Sequence, residues 1–225
     1  EKEIEVIVNT HKSVSAEFIK RKWTYVIYMA GDNELEGAAM RAMNELEEAD
    51  WRGQDVSVLA LIDRHPGYDA SDGNWTGTRL YEVKYDKNGV NSTIISERLD
   101  CAILGLSKGI DSELDMSGVY ILSGILDYAK ESYQAEQFGL IVWGHGSGWK
   151  GMGKDETSGG SVMKISRLGH RIASMRWLIA TEISVHSLDH QFYSTRWDYL
   201  HMKEALTLEN RQRTYSVNWG IPLKL

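Results

Sequence analysis

The sequence places one histidine, His145, where an apolar run changes abruptly into a glycine-rich turn. Residues 138–143 read Phe-Gly-Leu-Ile-Val-Trp, and glycines then stand on both sides of His145 and of Ser147. Glycines let the backbone turn sharply and bring its N–H groups close to a ligand. A histidine at such an edge is placed for proton transfer, although a plain glycine-rich turn whose histidine hydrogen-bonds a neighbouring loop explains the same pattern.

No nucleophile stands clearly beside this histidine. Ser147 is two residues along the same turn, where side chains rarely face one another, and the Gly-x-Ser-x-Gly order of serine hydrolases is absent. A serine hydrolase is therefore disfavoured. The single cysteine, Cys101, lies in an apolar stretch at residues 99–104, where a small buried hydrophobic role is expected.

Candidate metal ligands match no known motif. Histidines accumulate in the last third of the chain, at His170, His186, His190 and His201. Their spacing is not that of a zinc site, and a single cysteine excludes multi-cysteine zinc sites and internal disulfides. The acids in the turn-rich segment 66–77 lack EF-hand spacing, so a solvated loop is the main interpretation and calcium ligation the minority one. The sequence alone assigns no metal site.

The elements that would position His145 alternate as strand, helix and strand. Residues 23–29 and 56–62 are apolar runs of strand length, and apolar residues recur at helical spacing over 35–49. An amphipathic helix at about 120–135 precedes residues 138–143, which have the composition of a strand buried on both faces. This order predicts an α/β fold with a mainly parallel sheet, whose ligands gather beyond the carboxyl ends of the strands.

Weaker patterns predict the remaining elements. They comprise an edge strand at 3–10, a turn and helix N-cap at 30–33, hairpin strands at 78–84 and 90–95, and a mobile glycine-rich loop at 150–160. The last third is predicted to form a helix at 165–175, a strand at 183–188 and a helix at 197–206. The expected organisation is an N-terminal strand and linker at residues 1–22 and a single domain at 23–225, with the weakest pattern over 165–225.

Charge and hydropathy narrow the classes of partner. The formal net charge of −7 argues against a nucleic-acid binder and is compatible with a cationic substrate. No apolar run has the length of about 18 residues that a membrane-spanning helix needs. Because the sequence opens at Glu1 rather than Met, we expect that a leader has been removed and that the protein is secreted, periplasmic or on the cell surface.

Three segments resemble the clostripain-like cysteine peptidases, and they occur in the same order as in that family. Met-Ala-Gly-Asp-Asn-Glu-Leu-Glu at 29–36 is similar to the end of the family's first core strand. Leu-Ile-Val-Trp-Gly-His-Gly-Ser-Gly-Trp at 140–149 resembles its catalytic-histidine segment, and Asp-Glu-Thr-Ser-Gly-Gly at 155–160 resembles the loop that follows. The resemblance runs from about residue 23 to residue 160 and fades afterwards.

The resemblance implies a caspase-like α/β/α sandwich and an endopeptidase that cuts peptide or protein substrates after Arg or Lys. His145 would be the catalytic histidine, and the Gly146 N–H would form part of the oxyanion hole. No cofactor is required; calcium activation is implied by the resemblance only. Self-cleavage is expected between the histidine and cysteine segments, where Lys150, Lys154 and Lys164 lie.

This chain departs from the family pattern at the position of the nucleophile. The family has an Asp-Ala-Cys-like motif at the end of the next core strand, and the nearest match here is Ser-Leu-Asp-His-Gln at 187–191. Gln191 then occupies the cysteine position, and Asp189 occupies that of the acid which selects a cationic side chain. An amide cannot act as a nucleophile.

Three explanations for the missing cysteine remain open. The chain is a catalytically dead homologue, its nucleophile stands elsewhere, or a frameshift or misassignment has altered the residues after about position 164. The alternative to a peptidase is a non-catalytic homologue that binds basic peptides through an acidic pocket containing Asp189.

Overall fold

A computed structural model of the chain describes residues 21–146, 151–164 and 177–184, the last of these as backbone only. The elements in chain order are β1 (Arg21–Gly31), α1 (Glu36–Glu48), β2 (Val56–Arg64), β3 (Gly77–Glu82), β4 (Glu97–Leu99), a short 3-10 helix (Ala102–Leu104), α2 (Val119–Ser132), β5 (Ala135–His145), β6 (Met152–Asp155), β7 (Ser161–Met163) and β8 (Trp177–Ser184).

Six of the strands form one sheet in the order β4-β3-β2-β1-β5-β8, and β6 and β7 form a separate two-stranded sheet. The four adjacent strands β2, β1, β5 and β8 are parallel, whereas β3 and β4 join at one edge as antiparallel strands. The predicted α/β fold with a mainly parallel sheet is confirmed.

Both faces of this sheet are buried, which explains why its central strands lack polar alternation. Along β1, Val26 and Tyr28 pack in one hydrophobic cluster together with residues of α2. Ile27 and Met29, which point to the opposite face, pack in a second cluster with residues of α1. The two helices therefore cover opposite faces, and the structure is the α/β/α sandwich that the resemblance implied.

The predicted second strand of the hairpin, at residues 90–95, is wrong. The strand that pairs with β3 is β4, at Glu97–Leu99. Side chains accept two of the N–H groups that a ladder over 90–95 could use: Glu47 Oε1 accepts from Ile95 at 3.0 Å, and Asp72 Oδ1 accepts from Ile94 at 2.9 Å.

The glycine-rich segment at 150–160 was also expected to be a loop, and part of it is strand. β6 and β7 pair antiparallel across a turn in which Gly159 and Gly160 have φ of +84° and +69°, a conformation that glycine adopts readily. Asp155 Oδ1 accepts a hydrogen bond from Ser158 N at 2.7 Å, which fixes the start of this turn.

Two strand boundaries differ from the sequence-based expectation. β1 begins inside the predicted linker, because Arg21 already pairs with Ala135 of β5. β8 occupies Trp177–Ser184, earlier than the strand predicted at 183–188, because this apolar run pairs along β5. The strand predicted at 3–10 and the helices predicted at 165–175 and 197–206 lie outside the described residues.

A buried ion pair ties the start of α1 to the end of β2. Arg64 Nε donates to Glu36 Oε1 at 2.7 Å, and both side chains are 0% exposed. Arg64 also donates to the carbonyl oxygens of Asp69 and Ser71, while Glu36 Oε2 accepts the N–H groups of Tyr68 and Asp69. The loop after β2 is therefore held by both members of the pair.

Replacing Arg64 with Met should destabilise the protein by about 3–5 kcal/mol, because the Glu36 carboxylate would stay buried without its partner. Chemical denaturation followed by circular dichroism measures this free energy of unfolding. The matched control is Arg52→Met, which removes the exposed ion pair with Asp50 and should barely move the midpoint. Equal losses in the two variants would contradict the importance of the buried pair.

Candidate functional site

His145 is the last residue of β5, at the carboxyl edge of the parallel sheet. Its side chain is 14% exposed, and its Nε2 lies 3.1 Å from Glu34 Oε1. The distance is that of an ion pair, but the angles are not those of a hydrogen bond, and Nε2 has no hydrogen-bond partner among the described residues. Lys154 lies on the other side of Glu34, with Nζ 3.9 Å from Oε2.

Gly144 lets β5 end close against β1. Its φ is +140°, and a Cβ added there would lie 2.8 Å from the carbonyl oxygen of Ala30. Gly144 is the register partner of Ala30, so the close contact occurs one residue before His145. The glycine before the histidine is therefore required by backbone conformation and by space.

Asp32 and Asn33 bind the segment that begins at β6. Asn33 Nδ2 donates to the carbonyl oxygens of Ala30 and Lys154, at 3.1 and 2.8 Å. The backbone oxygen of Asp32 accepts from Glu156 N at 2.9 Å, and its carboxylate accepts from the N–H and the hydroxyl of Thr157. The segments at 29–36 and 155–160 thus contact each other directly, beside the end of β5.

The helix N-cap predicted within residues 30–33 is wrong. The N-cap of α1 is Leu35, without a side-chain cap. Asn33 Oδ1 instead accepts a hydrogen bond from Leu35 N at 3.0 Å in a local turn. Asp32 and Asn33 are used for the long-range contacts to the β6 segment.

Four carboxylates converge at this edge of the sheet, from Asp32, Asp63, Glu113 and Asp155, with one oxygen of each within 4.8 Å of the others. The three aspartates are 0% exposed. Asp32 follows β1, Asp63 lies near the end of β2, and Asp155 ends β6. This cluster was not predicted from the sequence, although acids at the carboxyl ends of two neighbouring parallel strands were a usable signal.

Burial and like charge raise the pKa values of three of these acids. Desolvation is the largest cause for Asp63, whose pKa is well above its usual value, and the neighbouring charge of Glu113 adds to it. Glu113 is an exposed residue, but its carboxyl group faces the cluster, where desolvation and then the charges of Asp32 and Asp155 raise its pKa to about 7. The pKa of Asp155 is raised mainly by desolvation.

Several predicted site residues lie outside the described residues, including Gln191, Asp189 and Ser147. Gly146 is described and forms an isolated antiparallel bridge with Met152. Cys101 is fully buried in the hydrophobic core, as predicted, and burial raises the pKa of its thiol, so it is not a nucleophile in this fold.

A surface pocket lies away from this edge. Trp51, Arg52 and Tyr85 are among the residues that line it, together with Arg21 and Val56. These last two residues begin β1 and β2, so the pocket is at the amino ends of the parallel strands. Ligands of open α/β sheets bind at the carboxyl ends, which favours the edge at His145 as the functional site.

The fold and this edge together define a caspase-like α/β/α protein with a histidine at the carboxyl end of a central strand. The clostripain family model matches residues 27–178, more than half of the 225 residues, so the chain belongs to the clostripain family. Clostripain of Hathewaya histolytica is 28% identical over 134 residues, which are 57% of this chain and 24% of clostripain.

Solved structures show the same fold. A secreted C11 cysteine protease from Bacteroides thetaiotaomicron in complex with an irreversible peptide inhibitor is similar with a TM-score of 0.51 and 22% identity, over 72% of this chain and 42% of that one. An inactive zymogen C11 protease from Parabacteroides distasonis gives a TM-score of 0.52 and 23% identity, over 75% and 44%. The chain therefore spans less than half the length of these relatives.

Replacing Gly144 with Ala should destabilise the protein by about 2 kcal/mol or more, because a non-glycine residue is strained at this φ and its Cβ would meet the Ala30 carbonyl. Thermal and chemical unfolding measure the loss. Gly109→Ala is the matched control, since nothing lies within 4 Å of a Cβ added there. If both variants unfold alike, the close approach of β5 to β1 is not a constraint.

Proposed function

We propose that this chain belongs to a cysteine endopeptidase that cleaves peptide bonds after Arg or Lys, and that it supplies the catalytic histidine. The observation that carries the proposal is the position of His145. It ends β5 at the carboxyl edge of the sheet, and β8 is the next strand in the sheet, parallel to β5 and with Ser184 in register with His145. A nucleophile directly after β8 would therefore lie at the same edge as the histidine.

The roles of the residues follow from this arrangement. A thiolate after β8 would attack the carbonyl carbon of the scissile bond, and the Gly146 N–H would stabilise the resulting oxyanion. The protonated imidazole of His145 would give its proton to the leaving amine, and water would then hydrolyse the acyl-enzyme. Asp189 would select a cationic substrate side chain through its charge.

Gln191 occupies the proposed nucleophile position, so the chain with this residue should have no turnover. An amide has neither an ionisable thiol nor a basic lone pair, and Cys101 is buried in the core. The other described parts of the site do not depend on residue 191. His145, Asp32 and Asn33 all belong to segments that precede β8 in the chain.

We also propose that the protein is exported. The Bacteroides thetaiotaomicron structure is described as a secreted protease. None of the described helices is long and apolar enough to cross a membrane. Fractionation of the producing cells, with immunodetection of the chain in each fraction, would test this location; recovery in the cytoplasm alone would contradict it.

Replacing Gln191 with Cys should create hydrolysis of fluorogenic peptide amides that have Arg or Lys before the scissile bond, and little with Ala there. The activity should require reduced thiol and be lost on alkylation. Adding His145→Ala to the Gln191→Cys protein should lower kcat/KM by roughly 10²–10⁴-fold, because proton transfer to the leaving amine is removed. Gln191→Ser is the control for the need for a thiol.

A Gln191→Cys protein that folds but hydrolyses none of these amides would contradict the proposal. Tight binding of an Arg-containing peptide by the original chain, weakened by Asp189→Ala and without turnover in either protein, would instead establish the non-catalytic alternative. A peptide map over residues 164–225, measured by mass spectrometry, accompanies the assay and determines whether residue 191 is Gln in the natural chain.

Self-cleavage of an active form should occur after Lys150 or Lys164 rather than after Lys154. A scissile segment must be free to bind the site in an extended form. Lys154 lies within β6, its carbonyl oxygen accepts from Asn33, and its Nζ donates to Glu156 Oε1 at 2.7 Å. The masses of fragments formed by Gln191→Cys protein at high concentration identify the bond; Lys154→Gln should leave them unchanged, and a nick at Lys154 would contradict this expectation.

A further inference from the structure

One acid, Glu34, faces the histidine at the carboxyl edge of the sheet. Its Oε1 lies 3.1 Å from Nε2 of His145, and it is the one acid that forms an ion pair with this histidine in the part of the chain that the structure describes. The Nε2 atom is buried and has no hydrogen-bond partner among the described residues. A buried N–H group needs an acceptor, and Glu34 is the group placed to provide it.

The backbone on both sides of Glu34 is fixed, although its side chain is 48% exposed. Asn33 and Leu35 are buried. The side chain of Asn33 accepts from Leu35 N, and its carbonyl oxygen accepts from Glu36 N, each at 3.0 Å. Glu36 is held in turn by its buried ion pair with Arg64. The Glu34 carboxylate is therefore carried by a rigid segment, which suits a group that must hold a ring in one orientation.

Lys154 is a second charged neighbour of Glu34, and it leaves the contact with His145 intact. The ammonium nitrogen of Lys154 lies 3.9 Å from Glu34 Oε2 but only 2.7 Å from Glu156 Oε1. Lys154 thus pairs mainly with Glu156. The other oxygen of Glu34, Oε1, remains beside Nε2 of the histidine.

A carboxylate at Nε2 determines which ring nitrogen serves the thiol. When Nε2 of His145 carries the proton of the neutral imidazole, the free lone pair is on Nδ1. Nδ1 then takes the proton of the thiol, and the imidazolium that forms has a negative group beside Nε2 that stabilises it. The proton on Nδ1 is the one that passes to the leaving amine, while the proton on Nε2 stays in place.

We propose that Glu34 is a positioning residue, which holds the imidazole of His145 through Nε2 and so presents Nδ1 to the nucleophile. The separation of 3.1 Å is already that of a hydrogen bond, and only the angle is not. Catalytic hydrogen bonds are often poorly aligned before the substrate binds. This inference rests on the proposed role of His145 in proton transfer, but the state of the ring nitrogens can be measured without turnover.

The first test uses the unaltered chain with isotope-labelled histidine and does not depend on residue 191. Proton NMR should show a ring N–H signal on Nε2 of His145, because burial and a hydrogen bond to Glu34 slow its exchange with water. His145→Gln assigns the signal by removing it. Glu34→Ala should abolish or broaden it, whereas Glu45→Ala, which changes an exposed acid of α1, should leave it sharp. Absence of an Nε2 signal in the unaltered chain, or an unchanged signal in Glu34→Ala, would overturn the proposal.

The second test measures kinetics in the Gln191→Cys protein. Adding Glu34→Gln should lower kcat about fivefold to tenfold and leave KM within about twofold, because Glu34 acts on His145 and water screens a half-exposed pair. Glu34→Asp keeps the charge and should recover part of the loss. Glu45→Gln is the matched control and should change neither constant. A higher KM with unchanged kcat in Glu34→Gln would show that this acid binds the substrate cation instead, and would refute the positioning role.

Together the two tests distinguish failure of this inference from failure of the proposed function. If the Gln191→Cys protein is folded but inactive, the peptidase proposal fails, and the NMR comparison of the unaltered chain with Glu34→Ala still decides whether Glu34 holds Nε2. If the Gln191→Cys protein is active and Glu34→Gln retains its full kcat, the peptidase proposal stands and the role of Glu34 is refuted.

Discussion

The structure depends on the position of β1 between β2 and β5, parallel to both. Nine register pairs join β1 to β2, from Trp23 with Val56 to Gly31 with Arg64, and a parallel ladder joins it to β5 as far as Ala30 with Gly144. Parallel pairing brings the carboxyl ends of the three strands to one edge. Asp32, Asp63 and His145 are therefore neighbours in space although they are far apart in the chain.

Two groups of buried charge at this edge illustrate different solutions to the same cost. Arg64 and Glu36 neutralise each other and also bind the backbone of the following loop, so the pair fixes structure. The four-acid cluster has hydrogen-bond donors but no cation of its own among the described residues. Burial there instead raises the pKa values of Asp63, Glu113 and Asp155, which favours the neutral form of each carboxyl group.

The elements that could be predicted from the sequence are those with a clear apolar pattern. The observed positions of β1, α1, β2, α2 and β5 are all close to those predicted. A strand buried on both faces is an unbroken apolar run, and a helix with one buried face has apolar residues at helical spacing, so both can be recognised in the sequence. The prediction of a hairpin strand at 90–95 was wrong because side chains of distant residues, such as Glu47, accept hydrogen bonds from its N–H groups. No local pattern encodes such contacts.

The candidate site was predictable in part, where its residues lie in recognisable local sequence patterns. His145 is marked by the change from strand to glycine, and Asp155 and Asp32 lie in segments similar to family motifs. The acidic cluster was missed because Glu113 comes from a loop without a pattern and because Asp32 has the appearance of a helix cap. Only the folded chain shows that Asp32 faces Asp63 and Asp155.

The most direct test of the central claim is a crystal structure of the Gln191→Cys protein. The claim is that residue 191, which follows β8, would lie at the carboxyl edge of the sheet beside His145. It predicts that the Sγ atom of residue 191 lies about 3–4 Å from an imidazole nitrogen of His145, within reach for proton transfer. A residue 191 at the opposite edge of the sheet, or a thiol separated from the imidazole by other elements, would contradict it.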